Sequence, residues 1–152
     1  MLFDPKHDDN LAKLEEQLHC ANAVTSGLMS DMMAIACVRF GALGAATKVR
    51  VKWLIEVGAW TDATIALLEL ELPHWKLRRL VKEDGKWLCS LSKRVGIPLA
   101  YDEVAEAGHE SLPLAILIAL LQAKRSPGTS GIATVPPVHR VPTNAACCDN
   151  FG

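Results

Sequence analysis

Apolar and polar residues alternate at the spacing of a strand between positions 75 and 93, where the chain reads WKLRRLVKEDGKWLCSLSK. Trp75, Leu77, Arg79 and Val81 share one face of a first arm, and Trp87, Cys89 and Leu91 share one face of a second. Glu83, Asp84 and Gly85 separate the arms, so the stretch predicts a β-hairpin. A two-residue loop at Asp84 and Gly85 would pair Val81 with Leu88 and Leu80 with Cys89, setting the two apolar stripes on opposite faces. A three-residue loop pairs Val81 with Trp87, Arg79 with Cys89 and Leu77 with Leu91, with Gly85 in the left-handed turn position. The pattern therefore favours the longer loop, with Lys76, Arg78, Lys82, Lys86 and Ser90 facing water. A rival reading exists, since Leu77, Leu80 and Val81, then Trp87, Leu88, Leu91 and Val95, also fit helical spacing and would give a helix-turn-helix. Each such helix would span only about two turns, which is marginal without packing.

Elsewhere the period is helical. Leu11, Leu14, Leu18 and Ala21 recur at three and four residues and predict an amphipathic helix over 9–23, after a flexible lead over 1–8. Residues 25–44 mix glycines with an apolar run and declare no packing face. Met29, Met32 and Met33 there read as fillers of irregular core space. Met29 and Met32 also offer internal start positions, which leaves open whether 1–28 belong to the native chain. A helix follows over 45–57, with Val49, Trp53, Leu54 and Val57 expected inside. Gly58 ends it, and a second helix capped by Thr61 or Asp62 runs to about Leu72 with Ile65, Leu68 and Leu72 buried and Glu69 and Glu71 in water.

Beyond the hairpin, Gly96, Ile97 and Pro98 break the pattern, and a third short strand near 97–100, or one lent by a partner, would complete a sheet. Residues 101–110 are acidic and are expected to balance the hairpin's charge. All ten positions from 112 to 121 are apolar, with Pro113 suited to a first helical turn, so a helix over about 111–125 is covered on all sides and packs on the hairpin face of Trp75, Leu77, Val81, Trp87 and Leu91. Lys124 and Arg125 oppose the negative end of its dipole. Residues 126–152, rich in Pro, Gly, Ser and Thr, read as a disordered tail. Val135, Pro136, Pro137 and Val138 within it could form a polyproline segment. The fold class is thus α+β: helices, then a β-hairpin (about 75–93), a buried C-terminal helix (about 111–125) and a tail. One domain over 9–125 is expected, best defined over 45–125.

Composition narrows the classes of function. The chain has 152 residues, half of them hydrophobic, and a net charge of −1, whereas 76–94 holds seven basic residues against Glu83 and Asp84 and carries +5. Lys76, Arg78, Arg79, Lys82, Lys86, Lys93 and Arg94 are therefore the candidate contacts to a partner or to phosphate. Five cysteines, at 20, 37, 89, 147 and 148, form no CxxC pair and follow no secretory signal, which fits reduced thiols in a cytoplasm. No apolar run reaches the roughly twenty residues needed to span a bilayer.

Candidate chemistry is thin. Cys89, His74 and His109 lack the spacing that brings a thiol, an imidazole and an orienting group together, and Cys89 falls on the inward face. His7 with Asp8 and Asp9, or His19 with Cys20, lack a second ligand pair for a metal. Gly41 and Gly44 lack the Lys-Ser/Thr of a phosphate loop. No cofactor, metal or catalytic residue is expected.

The segments W-K-L-R-R-L (75–80), D-G-K-W-L-C-S-L-S (84–92) and L-P-L-A-I-L (112–117) resemble a group of small, functionally uncharacterised proteins of rhizobial-type bacteria. The resemblance covers about 49–125 and leaves out 25–44 and the Cys147–Cys148 tail. It implies no activity, cofactor or functional residue. The expected function is a cytoplasmic, non-enzymatic module that binds another protein or a second copy of itself. The alternative is a nucleic-acid binder of helix-turn-helix type using the basic segment. A third expectation, a small-molecule sensor, would set Trp75 and Trp87 around one pocket.

Overall fold

The structure, a computed structural model, describes residues 5–93 and 103–125. The expected strand at 97–100, Arg94, the polyproline segment and the Cys147–Cys148 tail lie outside the described residues. Among the described residues, six α-helices and three strands follow in the order α1 (Pro5–Cys20), α2 (Ser26–Asp31), a π-helical turn (Met32–Ala36), α3 (Val38–Gly41), α4 (Ala45–Glu56), α5 (Trp60–Glu71), β1 (Lys76–Glu83), β2 (Lys86–Ser92), β3 (Val104–His109) and α6 (Leu112–Arg125).

The expected buried helix is the centre of the fold. Every residue of α6 from Leu114 to Leu121 is sealed from solvent, and each buried Leu or Ile contributes about 1.5–3 kcal/mol. One side of α6 packs on β2 and β3, and the other meets α1 and α5. This arrangement corrects the expected footing, in which α6 sat on both arms of the hairpin. Helix α1 starts at Pro5, four residues earlier than the period suggested, and its Leu11, Leu14 and Leu18 join the core. Met29 and Met32 are wholly buried, as core fillers should be.

The hairpin is present, but its register is not the expected one. Asp84 (φ 50°) and Gly85 (φ 82°) form a two-residue loop of the left-handed kind, pairing Glu83 with Lys86, Lys82 with Trp87, Val81 with Leu88, Leu80 with Cys89 and Arg79 with Ser90. The conflict between the apolar stripes is resolved by a bulge. The register shifts between Leu77 and Arg79, so Leu77 again pairs with Leu91, and Leu77 and Leu80 both lie on the face of Cys89 and Leu91. Arg79 and Val81 fall on the opposite face, the reverse of the expectation.

The third strand is the acidic stretch itself. β3 pairs antiparallel with β2, giving the order β1-β2-β3, with Ala105 opposite Leu91 and Ala107 opposite Cys89. Alanine at both inward positions lets α6 lie close to the sheet.

Helix α4 turns differently from expectation. Val51 and Leu54 are its buried residues, whereas Val49, Trp53 and Val57 are 59%, 57% and 56% exposed, a solvent-facing apolar stripe at i, i+4 and i+8. Helix α5 starts at Trp60, so Thr61 and Asp62 occupy its first turn and do not cap it. Among the described residues, no helix is long and apolar enough to cross a membrane.

Gly85→Ala should destabilise the protein by about 1–2 kcal/mol, because an L side chain at positive φ is strained. Gly41→Ala, at a helical position with open space around the added Cβ, should leave the melting temperature equal or higher. Thermal unfolding of both variants checks the turn.

Candidate functional site

The strongest cluster of polar contacts in the core surrounds Glu71, a residue expected in water. Its side chain is fully buried at the end of α5. One oxygen, Oε1, accepts from the backbone N–H of Arg39 (3.1 Å) and from Lys124 Nζ (2.9 Å), while Oε2 accepts from the N–H of Phe40 (2.9 Å). Helix α3 has no side-chain cap of its own, so Glu71 supplies acceptors for its first amides from across the core. Arg39 Nε returns a bond of 3.2 Å to the Leu70 carbonyl, and Arg125 pairs with Glu15 of α1. One end of α6 is thereby tied to α1, α3 and α5.

Cys37 adjoins this cluster and is buried. Desolvation and, next, the Glu71 carboxylate push its thiol from 9.0 up to about 12, against the lowering effect of Lys124. Burial likewise raises Cys89 to about 11. Neither thiol is a nucleophile near neutral pH. His109, at the end of β3, accepts the Ser111 N–H at Nδ1 (2.9 Å), which commits that nitrogen as an acceptor. It does not sit at a helix start on the surface as expected, but in a half-buried strand position. Ser90 and Glu106 meet on the outer sheet face, Oγ to Oε1, at 3.3 Å, without an imidazole to activate the hydroxyl. Among the described residues, no three His, Cys, Asp or Glu side chains are placed to hold a metal ion.

The hairpin cations do not form one face. Lys76 and Arg79 point from the outer face, where Arg79 pairs with Glu83 at 3.2 Å. Lys82 lies on the inner side and stands 5.7 Å above the Trp87 ring. Arg78 occupies the bulge and is exposed. Lys86 borders a polar cleft with His19, Cys20 and His109. Lys93 is held by Glu103, with Nζ to Oε2 at 3.0 Å, so the acidic stretch does balance charge there. Because Lys76–Glu83 and Lys86–Ser92 are strands, the basic segment itself supplies no recognition helix for the helix-turn-helix version of the nucleic-acid alternative.

Sequence reasoning missed the groove beside β1. Ile65, Leu68 and Leu72 of α5, with Pro73, Trp75 and Leu77, line a cavity of about 360 Å3, with Glu69 and Lys76 at its margin. The signal was available: Ile65, Leu68 and Leu72 share one side of α5, yet Ile65 is only half-buried. Trp87 lies at the turn end of the hairpin, under Lys82, and Trp75 at its open end, so the two rings do not share the pocket imagined for a sensor. No protein-family model, curated protein or solved structure matches this chain.

Glu71→Ala should lower stability by about 3–5 kcal/mol, because it leaves the Lys124 ammonium and two α3 amides without their acceptor; chemical denaturation measures the loss. Iodoacetamide at pH 8, read by mass spectrometry, should modify exposed Cys20 in the native protein and reach Cys37 and Cys89 only after unfolding. Both raised thiols favour the protonated native state, so their contribution to stability is full below about pH 9 and is lost as pH rises toward 11 and 12.

Proposed function

We propose that the chain is a non-enzymatic, cytoplasmic protein-interaction module that accepts a strand from another protein, or from a second copy, at the edge of β1. One observation carries the reading: β1 is eight residues long and, among the described residues, pairs only with β2. Unpaired backbone groups along such an edge are a template for strand addition. The two-residue loop makes Glu83 and Lys86 a hydrogen-bonded pair, and alternation then places Arg79 and Val81 in bonds to β2. Leu80 and Lys82 direct their N–H and C=O groups the other way.

The core thiols support a binding role over a chemical one, since burial keeps both protonated, and the Ser111 N–H occupies Nδ1 of His109. The nucleic-acid alternative keeps its cations but loses their alignment, with Lys76 and Arg79 on one face and Lys82 on the other.

Amide hydrogen exchange of the free protein tests the edge. Arg79 and Val81 should be protected, and Leu80 and Lys82 should exchange at rates near those of exposed amides. Equal protection at all four positions contradicts an open edge. In parallel, the protein should not bind a random DNA duplex at about 50 mM salt. Binding that collapses by about 200 mM and disappears in Arg78→Ala and Arg79→Ala variants would favour the nucleic-acid alternative.

A further inference from the structure

The charge and relief around β1 narrow the kind of strand it can take. We propose that the β1 edge receives an extended acidic peptide in which carboxylates alternate with aliphatic residues, one of them seated in the cavity between α5 and β1. The proposal rests on the strand-addition reading and deepens it.

Three observations converge. The strand carries Lys76, Arg78, Arg79 and Lys82 against Glu83, a net of +3 on eight residues. Two copies meeting edge to edge would set +3 against +3, and like charges across a strand pair are destabilising, so the edge discourages its own copy and favours an acidic partner. A strand added about 4.8 Å beyond β1 would run beside α5. There the half-buried Ile65 and the side chains of Leu68, Leu72, Trp75 and Leu77 form apolar walls for an inward residue. On the other face, Lys76 and Arg79 stand where every second side chain of the added strand would emerge. A period of two, apolar inward and acidic outward, satisfies both faces at once. A phosphodiester backbone offers neither strand hydrogen bonds nor an aliphatic side chain for the cavity.

The test uses the full chain and labelled synthetic peptides of about eight residues, followed by fluorescence anisotropy. A peptide alternating Glu with Ile should bind. Its Lys-for-Glu counterpart, and a peptide of the same composition with Glu and Ile grouped at opposite ends, should each bind at least about tenfold more weakly. The double variant Lys76→Glu, Arg79→Glu should lose about tenfold or more for the Glu peptide, and its melting curve shows that it folds. Bound peptide should slow exchange of the Leu80 and Lys82 amides while leaving those of α4 unchanged. Equal binding of the Glu and Lys peptides would overturn the acidic class and leave strand addition standing. Equal binding of the grouped peptide, or no slowing at Leu80 and Lys82, would overturn strand addition itself. No binding at about 1 mM, or sedimentation showing that the edge is filled by a second copy, would overturn the proposal.

Discussion

A buried carboxylate holds the helical half of this protein together. Glu71 sits where α3, α5 and α6 converge, and its two oxygens serve two backbone amides and one ammonium. Alone in the core it would be costly, as would Lys124, which is only partly exposed. Together they fix the end of α5 against the start of α3 and the end of α6. The irregular run from Ser26 to Gly41, with its π-helical turn, gains a defined position from this anchor. Met29, Met32, Ala36, Cys37 and Phe40 of the same run add their buried side chains to the core.

From that anchor the layering follows. Helix α6 is apolar on every side and must be covered on every side. α1 and α5 cover one flank, and β2 and β3 the other, with Ala105 and Ala107 small enough to admit it closely. The sheet extends one strand past this footprint. β1 is bonded along one edge, bordered by the cavity beside α5, and positively charged along its length. The proposed interaction surface is the overhang that results from placing a one-helix core under a three-strand sheet.

Much of this was legible in the residues and some was not. The ten-residue apolar run at 112–121 reads as a covered helix, and the turn residues at 84 and 85 favour a hairpin over two short helices. Register was misread because strict alternation was assumed through Arg78, and a bulge there changes parity without any glycine or proline to announce it. The exposed face of α4 was misread because Val49, Val51, Trp53, Leu54, Ile55 and Val57 ring the helix, so its period selects no side. The sequence hides the burial of Glu71 because that burial depends on Lys124, fifty-three positions away. The carboxylates of β3 mask the alternation of Ala105 and Ala107, so the sequence shows that stretch as charge and not as a strand. The groove at α5 escaped for a related reason, since whether Ile65 is covered depends on where β1 ends up.

Cross-strand contacts between Hα protons, observed by NMR, test the central claim most directly, because the register decides which β1 amides face outward. In antiparallel pairs these protons approach closely only at positions without mutual hydrogen bonds. The two-residue loop and bulge predict strong Hα–Hα contacts between Lys82 and Trp87 and between Leu80 and Cys89. Contacts between Val81 and Trp87 and between Arg79 and Cys89 would restore the three-residue loop, turn Leu80 and Lys82 toward β2, and contradict the proposed edge.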